Sequence, residues 1–281
     1  MTQDAGGDAD GARRDHARPP AGLDRSLPHP PARPLRVAIA AVVLVLAAAA
    51  ALAAALVGLG PARADRALLG EALDARSGSL TALATAVSEV GSTAAMGLLA
   101  VVTALWLLGR GRGVDAAFLV VTAGGAGLVF TGLKRLLDRP RPPAADRLID
   151  VANESLPSGH ATMSMAVVGA LVALAWAGRS ARGRAAVVVA AAVWVGAVGA
   201  TRIYLGVHWF SDVLAGWLVG GAWLALCVTA WSLWRTRRAS AVPPSRARAP
   251  GPRRRPPSNG GTGTRRGAPP ETGGTAASPR A

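Results

Sequence analysis

An all-α, six-helix transmembrane bundle with external active-site loops is the fold this sequence predicts, and three observations predict it. Hydrophobic residues make up 51% and charged residues 17% of the 281 positions, against about 25% charged in an ordinary globular chain. Aromatics are only 4%, so the apolar content is mostly Ala, Val and Leu, a mixture that suits lipid-facing helices better than an aqueous core. The apolar residues also collect into long uncharged runs, while the charges crowd into the tails and short connections. The formal charge of +15 is therefore not the footprint of a nucleic-acid binder. The expected partner is the bilayer.

In chain order, residues 1–34 are rich in Pro, Gly, Asp and Arg without periodicity, and predict a disordered cytoplasmic tail. Residues 37–59 form an uncharged run long enough to span a bilayer, which takes about 20 apolar residues. The run also exceeds the roughly 7–15-residue core of a signal peptide. Further uncharged runs follow at 91–109, 116–133, 161–178, 185–201 and 213–234, giving six spans, the fifth short and rich in Ala and Val. Between the first two, residues 61–89 alternate charges with Leu69, Leu73, Leu80, Leu83 and Val87 at near-helical spacing. That stretch is too charged to span and fits either an interfacial amphipathic helix or a plain loop. The membrane domain covers residues 35–234, and residues 235–281, Arg-, Pro- and Gly-rich, predict a disordered basic tail. The single cysteine, Cys227, lies in an apolar run and excludes an intramolecular disulfide.

Basic residues set the expected orientation. Six spans put both tails on one side, with Arg110 and Arg112 after the second span and Arg179, Arg182 and Arg184 after the fourth. The last tail opens with Arg235, Arg237 and Arg238, so this side is expected to be cytoplasmic. One expected external loop defies the trend: it carries Lys134, Arg135, Arg139, Arg141 and Arg147, and its charge calls for another reason.

Three clusters supply candidate chemistry. The first runs Lys134-Arg-Leu-Leu-Asp-Arg-Pro-Arg141-Pro142 and contains the only lysine of the chain. Arg141 can fork onto a phosphate, Lys134 can act as a point charge, and the prolines stiffen the backbone. A snorkelling basic girdle at a helix end also fits this cluster taken alone. The second is Pro157-Ser158-Gly159-His160, just before the fourth span. Ser158 is a natural N-cap, Gly159 admits an anion close to the backbone, and the helix start favours negative charge. His160 can donate a proton to a departing oxygen. An ordinary capped helix start fits as well. The third joins Thr201 and Arg202 to His208 and Asp212 across the last connection. Should the last helix begin near His208, His208 and Asp212 share a face, where the carboxylate can orient the imidazole as a nucleophile. Alone, this pair also fits an acid at a helix start beside an incidental histidine. His16 and His29 lie in the first tail and are not candidates.

The six-span topology puts all three clusters on one side, and together they hold the parts for phosphoryl transfer: cations, a helix N-terminus, a nucleophile with its acid, and a second histidine. The clusters resemble the signature of the type-2 phosphatidic acid phosphatase superfamily, in its membrane lipid phosphatase branch. Lys134, Arg141 and Pro142 match its first part, Pro157 to His160 its second, and Arg202, His208 and Asp212 its third. Thr201 stands where the family commonly has Ser, and keeps the hydroxyl.

The resemblance implies that His208 attacks phosphorus, Asp212 positions it and His160 protonates the leaving oxygen. Lys134, Arg141, Arg202, Ser158 and the Gly159 amide would hold the phosphoryl oxygens. It implies as substrate a membrane lipid phosphate such as phosphatidate or an isoprenyl diphosphate, undecaprenyl diphosphate among them, with no cofactor or metal and with the site outside the plasma membrane. A lipid-phosphate binder or transporter without hydrolysis is the alternative. A transporter would be expected to carry mid-membrane charges or repeated halves, which the spans lack.

Overall fold

The computed structural model describes residues 34–241, so the expectations for residues 1–33 and 242–281 lie outside the described part. Within it every regular element is helical: α1 (Pro34–Val57), α2 (Asp65–Asp74), α3 (Gly78–Val90), α4 (Thr93–Gly109), α5 (Gly113–Leu137), α6 (Gly159–Leu174), α7 (Ala181–Tyr204) and α8 (Phe210–Ala241). The six apolar runs coincide with α1, α4, α5, α6, α7 and α8. Four of these, α1, α5, α7 and α8, are each long and apolar enough to cross a bilayer. Helix α4 reaches that length when joined to α3 across a 43° bend, and α6 is an apolar helix of 16 residues.

Large apolar side chains face outward along these helices, among them Val42, Leu46, Leu98, Trp106, Val121, Leu128 and Val189. In water such a surface would drive association; against lipid it is the ordinary exterior. Residues 61–89, which fitted a helix or a loop, form a short 3-10 turn and the helices α2 and α3. Ser77 starts α3 by accepting from the Leu80 N–H, and Ser92 starts α4 by accepting from the Ala95 N–H.

Helix α8 is the hub, packed on α1, α6 and α5. One core joins Leu107, Phe118, Leu119, Val167 and Ala170 from α4, α5 and α6 to Cys227 of α8. A second joins Ala48 of α1 to Val219 and Ala222 of α8. Helix α8 also continues past Trp234 to Ala241, so the basic stretch expected to be unstructured from residue 235 begins as helix. Arg235 explains the extension: it pairs with the buried Asp115 at 3.2 Å and lies over the Trp231 ring at 4.8 Å. Arg112 closes on the same carboxylate at 2.7 Å.

The site depends on how closely α6 and α8 approach. Asp212, Gly216 and Gly220 recur every fourth residue on one face of α8. A Cβ on Gly216 would stand 2.8 Å from the Ser158 carbonyl oxygen, and one on Gly220 only 2.5 Å from that of Thr162. The backbones therefore touch through two glycines, a small-residue seam of the kind that lets membrane helices close. Gly221, one residue on, offers a control, because its Cβ would meet only the flexible tip of Met165 at 3.4 Å. We expect Gly220→Ala to cost about 1–3 kcal/mol, the scale of core overpacking, and Gly221→Ala to be tolerated. Thermal melts of the two variants in detergent check this; equal midpoints would show that the seam is not tight.

Candidate active site

Helix α5 delivers Lys134 in its last turn and ends at Leu137, where Asp138 takes a left-handed conformation (φ 42°) and its N–H returns to the Lys134 carbonyl. Asp is one of the few side chains that tolerate this geometry. The chain then runs through Pro140, Arg141 and Pro142 and comes back as residues 153–158, passing a cis Leu156–Pro157 peptide, into α6. The Ser155 N–H donates to the Arg139 carbonyl at 2.9 Å, and the Ser158 N–H to the Asp212 carbonyl at 3.0 Å. Those two bonds tie the first and third sequence clusters to the segment that leads into α6.

Between α7 and α8 lies a short turn in which Gly206 has φ +70°. A Cβ there would sit 2.1 Å from the Asp146 carbonyl oxygen, so both conformation and space demand glycine. Arg76, just beyond α2, stitches this turn down by donating to the carbonyls of Asp146 (2.7 Å) and Tyr204 (3.0 Å). The turn ends in His208, and α8 begins two residues later. Asp212 reaches back to the Trp209 N–H at 2.9 Å, the carboxylate half of a capping box.

His208 and Asp212 are 2% and 0% exposed, with His208 Nδ1 3.5 Å from an Asp212 oxygen. Arg141 Nη1 lies 3.2 Å from His208 Nε2. A guanidinium only donates, so Nε2 holds the lone pair and Nδ1 carries the proton toward Asp212. Burial pushes the His208 imidazole down to about 3, against the pull of Asp212. At neutral pH it is uncharged and able to act as a nucleophile.

The other residues singled out in the sequence surround this imidazole. Lys134 is buried and donates to the carbonyls of Glu154 and Ser155. Arg141 donates to the Asn153 backbone and side-chain oxygens, both at 2.6 Å, and to the carbonyls of Glu154 and Val207. Burial lowers Arg141 to about 10, which leaves it cationic. Arg202, in the last turn of α7, donates one Nη1 bond to Ser88 Oγ at 2.5 Å, while its buried Nε has no hydrogen-bond partner. Among the described residues none of these three cations closes an ion pair with a carboxylate, so each keeps its charge for an anion.

His160, in the first turn of α6, stands in the field of Arg202, Arg141 and Lys134 and beside the Ser88 backbone. Ser158 occupies the N-cap position of α6 with extended backbone, but its hydroxyl makes no capping bond. That Oγ is fully buried and without a partner, unlike the capping hydroxyls of Ser77, Ser92 and Ser180. A buried hydroxyl left unbonded at a helix N-terminus among cations is suited to an anionic ligand. Gly159 packs under Phe130, where a Cβ would come within 3.0 Å of the ring. Thr201 is not part of this set: its hydroxyl bonds the Val198 carbonyl of its own helix.

Three contributors escaped the sequence reading. Ser155 Oγ donates to Asp212 and lies 3.4 Å from His208 Nδ1. Arg139 pairs with the other Asp212 oxygen and, at 2.9 Å, with Asp65 of α2. Asp65 in turn accepts from the Ser211 N–H at 2.8 Å and the Ser211 hydroxyl at 2.6 Å.

The chain is similar to known lipid phosphatases. The sequence is 39% identical over 122 residues to the lipid A 1-phosphatase of Rhizobium johnstonii, covering 39% of this chain and 45% of that protein. The chain thus matches about half the length of that relative. Phosphatidylglycerophosphatase B of Bacillus subtilis is 28% identical over 160 residues, covering 56% of this chain and 78% of that protein. The crystal structure of the transmembrane PAP2 type phosphatidylglycerolphosphate phosphatase from Bacillus subtilis superposes with a TM-score of 0.57 at 25% identity, covering 72% of this chain and 96% of that one. Residues 115–236, which hold every member of the His208 pocket except Asp65 and Ser88, match the PAP2 superfamily itself. With its apolar helices and this shared fold, the chain is an integral membrane protein that is similar, over residues 115–236, to the PAP2 superfamily.

Proposed function

We propose that the protein hydrolyses a phosphate monoester or diphosphate on a membrane lipid, of the phosphatidate or isoprenyl diphosphate class, through a phosphohistidine on His208. The observation that carries this reading is the shared pocket of a neutral, oriented imidazole, three unpaired cations and an unbonded buried hydroxyl. In the first step His208 Nε2 forms a bond to phosphorus and the phosphorus–oxygen bond to the lipid breaks. Lys134, Arg141, Arg202, Ser158 Oγ and the Gly159 N–H hold the phosphoryl oxygens. His160, which takes up its proton as the anion enters among those cations, gives it to the leaving oxygen. Asp212 offsets the positive charge that develops on the His208 ring. In the second step water attacks phosphorus, the phosphorus–nitrogen bond breaks, His160 accepts the water proton, and inorganic phosphate is released. Charge stabilisation comes from residues of the chain, so no metal is required.

The test is phosphate release by the purified protein from a panel of lipid phosphates in mixed micelles, with and without EDTA. Release that survives chelation is expected. Loss in EDTA restored by magnesium would make the reaction metal-dependent, and lipid binding without release would leave the protein a binder. A membrane lipid as substrate also agrees with the named relatives, both of which are lipid phosphatases.

The reading extends to topology, with both tails cytoplasmic and the pocket on the outer face of the plasma membrane. The arginines at the opposite end of the bundle, Arg110, Arg112 and Arg235, support it under the positive-inside bias. Reporter fusions after Gly109 and after Gly178 are expected to read inside, and fusions within residues 144–155 outside. An inside reading for the last set overturns the orientation.

A further inference from the structure

Asp65 is the first residue of α2, the charged helix between the first two apolar runs, and lies outside the residues that match the superfamily. It is 5% exposed, a costly place for a carboxylate unless its oxygens are fully used. They are: Oδ1 accepts from the Ser211 N–H, and Oδ2 from Ser211 Oγ and Arg139 Nη2. Arg139 spans from Asp65 to Asp212, its Nη1 donating to Ser211 Oγ at 2.8 Å and to Asp212 Oδ1. The same Asp212 holds His208.

This chain of contacts bears on charge as well as shape. Among the described residues Lys134, Arg141 and Arg202 close no ion pair with a carboxylate, whereas Arg139 is clamped between two. Taken together Asp65, Arg139 and Asp212 carry one net negative charge, the amount needed to balance an imidazolium or a phosphorylated ring. Remove the Asp65 charge and the guanidinium cancels Asp212, leaving nothing to offset the charge that develops on His208. The guanidinium would also lose the second anchor that fixes its plane.

We propose that Asp65 is a positioning residue for the hydrolysis, acting through Arg139 on Asp212 and so on the His208 ring; this rests on the reading of His208 as nucleophile. Helix α2 is then part of the machinery, and its docking assembles the pocket. Asp65 touches none of the proposed phosphate ligands, so its effect falls on the chemical step and leaves phosphate binding alone.

The experiment compares wild type, Asp65→Asn, Asp65→Glu, Arg139→Gln and the Asp65→Asn/Arg139→Gln double variant as full-length protein in detergent. The substrate is phosphatidylglycerol phosphate, with inorganic phosphate as competing ligand and His208→Ala assayed in parallel. We expect Asp65→Asn to lose about 10–100-fold in kcat, the range seen when an outer partner of a functional residue is removed. KM and the inhibition constant of phosphate are expected to stay unchanged. Asp65→Glu should recover part of the loss, and the double variant should be no worse than Arg139→Gln, because the two act as one unit. A wild-type kcat in Asp65→Asn, a loss confined to KM, or losses that multiply in the double variant each overturn the proposal.

If Asp65→Asn aggregates, Arg139→Lys carries the same test, since one ammonium cannot bridge both carboxylates as the fork does. A kcat loss with phosphate inhibition intact then supports the relay, and an unchanged kcat overturns it. His208→Ala separates the two levels. A dead His208→Ala beside a wild-type-like Asp65→Asn removes only the relay, whereas an active His208→Ala removes the nucleophile and the relay with it.

Discussion

His208→Ala is expected to release no phosphate from any substrate, the largest effect of any single change in this protein. Nε2 of His208 holds a lone pair among cations on a ring oriented by Asp212, and its neighbours Lys134, Arg141 and Ser155 cannot take its place: Lys134 and Arg141 are protonated donors, and Ser155 is committed to Asp212. His160→Ala should behave differently. Its work is to protonate the leaving oxygen, so its loss matters least when that oxygen leaves as a stable anion. We therefore expect His160→Ala to keep more activity toward an activated aryl phosphate than toward a lipid monoester, while His208→Ala is inert to both. Rapid quench with labelled substrate and peptide mapping under alkaline conditions should find the phosphoryl group on His208 in wild type. Finding the label on His160, or activity in His208→Ala, would reverse the two roles.

Much of this pocket could be read from the chain because its ligands sit in short runs whose spacing reflects local geometry. Lys134 and Arg141 flank one helix end, Ser158 to His160 open another, and His208 and Asp212 are four residues apart across the start of a third. The apolar runs were equally legible, since a bilayer demands an uncharged stretch of fixed length. What escaped was carried by contacts between distant segments. Asp65 meets Ser211 across 146 positions, and Arg139 meets Asp212 across 73, so neither leaves a local signal. Arg139 stood inside the quoted basic cluster, but spacing alone does not tell the cation that anchors a carboxylate from those left free for phosphate. The α6–α8 seam did have a signal, Gly216 and Gly220 four apart in an apolar run, although only the packed helices show which partner uses it. The extension of α8 went unread for a similar reason: Arg235 looks like the start of a basic tail until Asp115 comes into view.

Asp212→Asn should fold and still lose activity on the order of 10⁴-fold, a scale set by the corresponding change in the serine-protease triad. The loss follows from the neighbours of Asp212, all of which donate. Arg139 points at one oxygen, and Ser155 Oγ, the Trp209 N–H and the His208 Nδ1–H crowd the other. An asparagine amide has one acceptor and one donor, so whichever way it turns, its NH₂ opposes a donor. With the amide nitrogen toward Arg139, a cation is left buried without its carboxylate. With it toward His208, the ring is pushed to the other tautomer, in which Nδ1 accepts and Nε2 carries the proton. That tautomer sets an N–H against the Arg141 guanidinium at a 3.2 Å contact and removes the lone pair that attacks phosphorus. In either orientation the negative charge that offsets the phosphorylated ring is gone. Size and volume are nearly conserved, so the helix start at Trp209 and the α6–α8 seam should survive. The measurement is therefore paired: thermal melting in detergent close to wild type, with the rate of phosphohistidine formation in a single turnover reduced by the full amount. A variant that forms the intermediate at the wild-type rate would show that Asp212 serves only to build the helix start.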